Sequence, residues 1–125
     1  KDIVVSETKK AESVLPKKAL NINISNPKPN EQVEAKVNVS GFANIFKNEI
    51  RVRVKDGVTG KVVFEEGTSV SAPGVIEYGP WSKEIDFTKF VEGRRYFIEA
   101  FQNTPFSGSE VDKVSVPVVY WRKNI

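Results

Sequence analysis

Glu65 and Glu66 stand side by side, and paired carboxylates can share acid–base work or hold a cation. The stretch around them has a strand pattern, however, and neighbouring residues on a strand point to opposite faces. The two therefore read as solvated charges at a strand end. Ser82 and Lys83 raise a Ser–Lys nucleophile, which needs a desolvated lysine converging on the hydroxyl; strand neighbours again diverge. Arg51, Arg53 and Lys55 recur at every second position. That spacing lines three cations along one strand face, where they could meet an anionic partner such as an acidic protein surface or a wall polymer. The plainer reading is a solvated sheet face whose charges meet Glu34 or Glu65 across strands.

What the chain lacks is as informative. Its 125 residues include no His, no Cys and no Met. That excludes a Ser-His-Asp triad, a cysteine nucleophile, imidazole or thiolate metal sites and any disulfide. The glycines are scattered and none opens a helix, so no phosphate loop is present. Asn23-Ile24-Ser25 and Asn38-Val39-Ser40 match a glycosylation acceptor pattern, but both fall inside predicted strands and carry no weight. The expectation is a non-enzyme without metal or cofactor.

Charge narrows the partners. Nineteen Lys and Arg face sixteen Asp and Glu, a formal net of +3. Five of the lysines fall in residues 1–19, and the remainder is nearly balanced. A nucleic-acid binder shows a one-signed stripe with interleaved aromatics, so no nucleic-acid partner is expected. No apolar run approaches the roughly 18 residues that cross a bilayer. The chain opens at Lys1, as a processed product would, and any signal peptide or lipid-bearing cysteine would lie upstream.

The elements that position these residues are strands. Residues 1–19 are polar, basic and broken by Pro16, and read as a tether; Ile3–Val5 could form a short strand docking on a sheet edge. From residue 20 to 125 the apolar period is two. Leu20, Ile22 and Ile24 mark a first strand, and Val33, Ala35, Val37 and Val39 a second. Ile50, Val52 and Val54 mark a third, with the Arg51 row on its other face. Asp56-Gly57 and Thr59-Gly60 supply a turn into a fourth strand through Val62 and Phe64. Gly67 to Gly79 reads as irregular. Trp81, Ile85 and Phe87 form a fifth strand, on whose inner face Lys83 must snorkel or lie at an edge. A sixth has Tyr96, Ile98 and Ala100 inward, and a seventh has Val114, Val116, Val118 and Tyr120 inward. Pro117 in that last strand suggests an edge position. About seven strands with no helical period predict an antiparallel β-sandwich.

Alternation also leaves Phe97, Phe101, Val119 and Trp121 on the outward side. Together they would make an exposed apolar patch, which on a soluble domain marks an interface unless another segment covers it.

The stretch 20–63 has Asn26-Pro27, Val39, Gly41, Ala43, Phe46, Asp56 and Gly60 in the positions of a family pattern. Trp81, Ile85 and Phe87, then Gly108 and the run from Val114 to Val118, continue it. The chain thus resembles the immunoglobulin-like domain of bacterial sporulation and spore germination proteins over about residues 20–120. Lys47, Ser107 and the long 67–79 stretch depart from the pattern. The resemblance implies a secreted or lipid-anchored module on the outer side of the cytoplasmic membrane. It would bind an envelope protein or a wall component without catalysis. A proteinase inhibitor using the 67–80 loop, or a structural spacer, are the alternatives.

Overall fold

The computed structural model describes residues 21–44, 49–71, 79–103 and 107–121. The expected tether 1–19 with its Ile3–Val5 strand, together with Leu20, Phe46, Lys47 and residues 72–78 of the expected inhibitor loop, lie outside that range.

Seven strands and no helix make up the described residues: β1 (Glu31–Val33), β2 (Lys36–Ala43), β3 (Glu49–Asp56), β4 (Val62–Ser69), β5 (Gly79–Asp86), β6 (Arg94–Asn103) and β7 (Glu110–Tyr120). One sheet has five strands in the order β1-β7-β6-β3-β4; the other pairs β2 with β5. Residues 22–26 lie beside β2 through bridges of Ile22 to Ala43 and Asn26 to Ser40. The fold is all-β, with two sheets facing across one core.

Alternation places the inner residues as the period of two requires. Val37, Val39, Ala43, Trp81 and Ile85 from the smaller sheet meet Ile50, Val52, Val54, Ile98, Ala100 and Val118 from the larger. Phe87, just beyond β5, packs edge-on against Tyr96 and Tyr120, with ring centroids 5.7 and 5.4 Å away. Such edge-to-face pairs add to the area they bury. The Tyr96 hydroxyl donates to the Val91 carbonyl at 2.9 Å and accepts from the Val91 amide at 2.8 Å. A tyrosine at the start of the sixth strand tied to backbone a few residues upstream is the tyrosine corner of immunoglobulin-like sandwiches.

Four expectations need correction. The second predicted strand is two elements, because the chain changes sheet at Glu34 and Ala35: β1 joins β7, and β2 joins β5. The inward residues Val33 and Val37 keep one alternation across that change, so periodicity hides it. The sandwich is not wholly antiparallel, since β1 runs parallel to β7. Gly67 to Gly79 is shorter than expected as an irregular stretch: β4 continues to Ser69 and β5 begins at Gly79. Finally, β7 is an interior strand. Pro117 is tolerated because its carbonyl, which accepts from the Asn30 amide at 2.7 Å, faces the β1 side. The proline nitrogen faces that same side, so the missing donor removes no bond to β6.

Lys83 behaves as its position demands. Its ammonium reaches Glu66 at 2.6 Å, linking the edge of β5 to the edge of β4. Glu65 turns to the opposite face of β4, towards Arg51 and Arg53. The adjacent carboxylates diverge, and so do Ser82 and Lys83.

Candidate interaction surface

The outer face of the five-stranded sheet collects the basic row Arg51, Arg53 and Lys55 and the expected apolar patch of Phe97, Phe101, Val119 and Trp121. Register sets the neighbours: Arg51 lies opposite Phe101, Arg53 opposite Glu99, and Lys55 opposite Phe97. On the next strand Phe97 faces Pro117 and Arg95 faces Val119. Trp121 follows β7 with the outward parity of Val119, and its indole lies over Gly93, where an added Cβ would come within 2.8 Å of the ring.

One half of this face is a charge lattice. Arg53 is its hub: Nη1 and Nη2 grip the Glu110 carboxylate at 3.1 and 2.6 Å, and Nε donates to Glu65 at 3.0 Å. Nη1 also lies 3.3 Å from Glu99. Glu99 is only 6 % exposed and is flanked further by Lys55 at 3.6 Å and Lys113 at 3.9 Å. Lys113 in turn reaches Glu110 at 3.1 Å. A buried carboxylate persists when cations and hydrogen bonds surround it, which is the arrangement at Glu99. The Arg53 hydrogen bonds, with help from Lys113, hold the Glu110 carboxyl down at about 2. In return the hydrogen bond to Glu110 leads in raising Arg53 above its ordinary value, against the opposing effect of burial.

The basic row is therefore answered within the molecule. Glu65 serves as the expected cross-strand partner of Arg51 and Arg53, and Glu99, Glu110 and Lys113 complete a lattice that spacing alone could not reveal. Glu34 lies exposed in the connection between β1 and β2. Among the described residues no group of three or more Asp or Glu is placed to hold a metal ion.

The aromatic patch differs from its expected form. Phe101 faces outward but is 0 % exposed, because the Arg53 guanidinium stacks 4.4 Å above its ring and Lys113 stands 5.8 Å from the centroid. A register shift between Ala100 and Gln102 accompanies this seating. Cation and ring attract through the ring quadrupole, and the long basic stems cover apolar surface. Phe97 is half-buried between Lys55 and Pro117, and Val119 is half-buried beside Arg95. Trp121 alone of the four is exposed, at 54 %. The apolar surface contracts to Trp121 and Val119, with Phe97 diagonal to Val119.

The backbone that carries this face is fixed at both margins. At the end of β3, Asp56 accepts from the Val58 and Thr59 amides at 2.7 and 3.2 Å, and its other oxygen pairs with Arg94. Burial pushes its carboxyl up, but these bonds outweigh it and hold the group below its ordinary value. Gly60 adopts a φ of 77° to close the turn. At the β1 margin, the Val33 carbonyl accepts from the Trp121 amide at 3.1 Å, and Gln32 donates to the Trp121 carbonyl at 2.9 Å. The exposed indole thus projects from anchored backbone.

Residues 21–109 match Gmad2, the immunoglobulin-like domain of bacterial spore germination. No curated protein matches the chain. With an all-β, two-sheet architecture and a match over most of its length, the chain belongs to the immunoglobulin-like domain family of bacterial spore germination.

Proposed function

We propose that this domain is a non-catalytic interaction module acting outside the cytoplasmic membrane, and that it recognises an envelope protein or wall component through the outer face of its five-stranded sheet. The carrying observation is Trp121. An indole that is 54 % exposed, on backbone tied to β1 and beside Val119, has the character of a preformed anchor. Tryptophan and arginine dominate hot spots, and rigid sheet positions lose little entropy on binding. Arg95 is exposed beside Val119 and offers a polar rim. The charge lattice is satisfied internally, so its role is to stiffen the face rather than to capture an anion.

Crosslinking capture from a spore-envelope fraction tests the reading. A species captured by wild type and lost in Trp121→Ala, with the melting temperature held, supports it. Equal capture by both, or capture of nothing by wild type, counts against it and favours a spacer.

A further inference from the structure

β4 is the outermost strand of the five-stranded sheet, and only its second half is tied to β5. There the Glu66–Lys83 pair and the Thr68 hydroxyl on the Ser82 carbonyl join the two edges. At the start of β4 no such bond is present among the described residues. Instead an open groove of about 630 Å³ lies between Val62–Phe64 and the residues that follow β5. Six large apolar side chains are exposed among the described residues, and three of them, Val62, Val63 and Val91, line this groove. Phe64 and Phe90 line it too, partly buried against the core. A strand edge with exposed apolar side chains accepts an added strand unless something guards it. The register shift beside Val54 bends β4 here, yet no proline or lysine stands within Val62–Phe64 to block pairing.

The polar groups of the groove are already committed. Asp56 serves Val58, Thr59 and Arg94, and Asp86 serves Thr88. Glu66 holds Lys83, and the Tyr96 hydroxyl holds the Val91 backbone. What remains is apolar surface beside a free strand edge. That suits an extended peptide held by backbone bonds, with alternate side chains in the groove. The lining charges have both signs, Lys61 and Lys89 against Glu66 and Asp86, so a peptide of one strong sign would be opposed.

The chain itself carries such a peptide. Ahead of Asn21, outside the described residues, its one run of three apolar residues is Ile3-Val4-Val5, with Lys1 and Asp2 before it and Glu7 and Lys9 after. Reach permits the contact. The Asn21 carbonyl accepts from the Asn44 amide at 2.7 Å, at the end of β2 remote from the groove. The length of β5 at about 3.3 Å per residue, with three strand spacings of about 4.8 Å, makes a path of roughly 40 Å. Residues 6–20 span up to about 50 Å when extended. We infer that this groove is the docking site of the chain's own Ile3–Val5 segment, added beside Val62–Phe64 as a short strand. Alternation then sends Ile3 and Val5 in towards Phe64 and Phe90, and Val4 out. The groove lies at the β4 edge and Trp121 at the β1 margin, so the inference stands apart from the interaction surface above.

The chain has no cysteine, so Ser6→Cys gives a single attachment point for a nitroxide next to Val5. In the whole chain labelled with nitrogen-15, the amides of Val62, Val63, Phe64 and Val91 should lose most of their intensity to paramagnetic broadening. Those of Phe42 and Ser109, at the far end of the sandwich, should keep theirs. Adding Ile3→Asp and Val5→Asp to the same labelled chain should restore the groove amides. A mixture of isotope-labelled chain without nitroxide and nitroxide-bearing chain without isotope should show no broadening, because the contact lies within one molecule. Groove amides that keep their intensity in the singly substituted chain overturn the inference, as does broadening that survives the two aspartates. Broadening in the mixture also overturns it and assigns the groove to a second copy.

Discussion

Arg53 holds together more of the outer face than any other side chain: it binds Glu65, contacts the buried Glu99, grips Glu110 with both terminal nitrogens and roofs Phe101. Arg53→Met keeps an aliphatic cover on the ring but removes the charge. Glu99 then retains only Lys55 and Lys113, and stability should fall by about 1–3 kcal/mol in chemical denaturation. Phe101→Ser should be worse, near the lower end of the roughly 3–5 kcal/mol seen when a buried phenylalanine is truncated. A loss within error for Phe101→Ser would mean that the ring is not buried. Acid should act through Glu110. Its folded value of about 2 lies below its ordinary 4.5, so its contribution is full above about 4.5 and is lost as pH falls towards 2. The melting temperature of wild type should therefore drop through that window, and Glu110→Gln should drop less steeply from a lower start. Alternation made the outward direction of Phe101 legible in the sequence. Its cover was not, because a roof built from Arg53 and Lys113 depends on which strands adjoin β6.

At the scale of elements, local signals predicted most strands and missed where the chain changes sheet. Val33, Val37 and Val39 continue one inward pattern, while β1 and β2 belong to different sheets; both inner faces look into the same core, so hydrophobicity carries no mark of the switch. Gly41 is a case in which the family pattern acquires a physical cause. The Asn23 backbone crosses so close to β2 that a Cβ on residue 41 would fall within contact of its carbonyl oxygen. The Asn23 side chain adds to the crossing, accepting from the Phe42 amide at 2.7 Å. Gly41→Ala should cost about 1–3 kcal/mol or more, with amide exchange accelerating first along 21–26 and β2. Unchanged exchange there would contradict this close approach. Asp56 and Gly60 likewise were legible as turn residues, whereas the Arg94 partner of Asp56 came only with the pairing of β6.

For the whole molecule, two sheets enclose one core, and their separate edges are joined where Lys83 meets Glu66, Thr68 meets the Ser82 carbonyl and the Ser71 amide meets the Pro80 carbonyl. This leaves two outer faces of different chemistry. One is stiffened by internal ion pairs and bears an exposed indole; the other carries Lys36, Glu84 and Asp86 towards one end and Ser40, Phe42 and Ser82 towards the other. The fold class and the family were readable because core and turn residues recur in the order the sandwich demands. The candidate surface was readable only in outline, since exposure depends on contacts between residues far apart in the chain. The proposed partner meets the five-stranded sheet at Trp121. The most direct measurement places a photoreactive residue at Arg95, beside Val119, and in a second protein at Phe42, and exposes each to the same spore-envelope fraction. Crosslinks from position 95 that vanish with Trp121→Ala are the predicted result. A position 95 that stays silent, or crosslinks that persist without the indole, would contradict it.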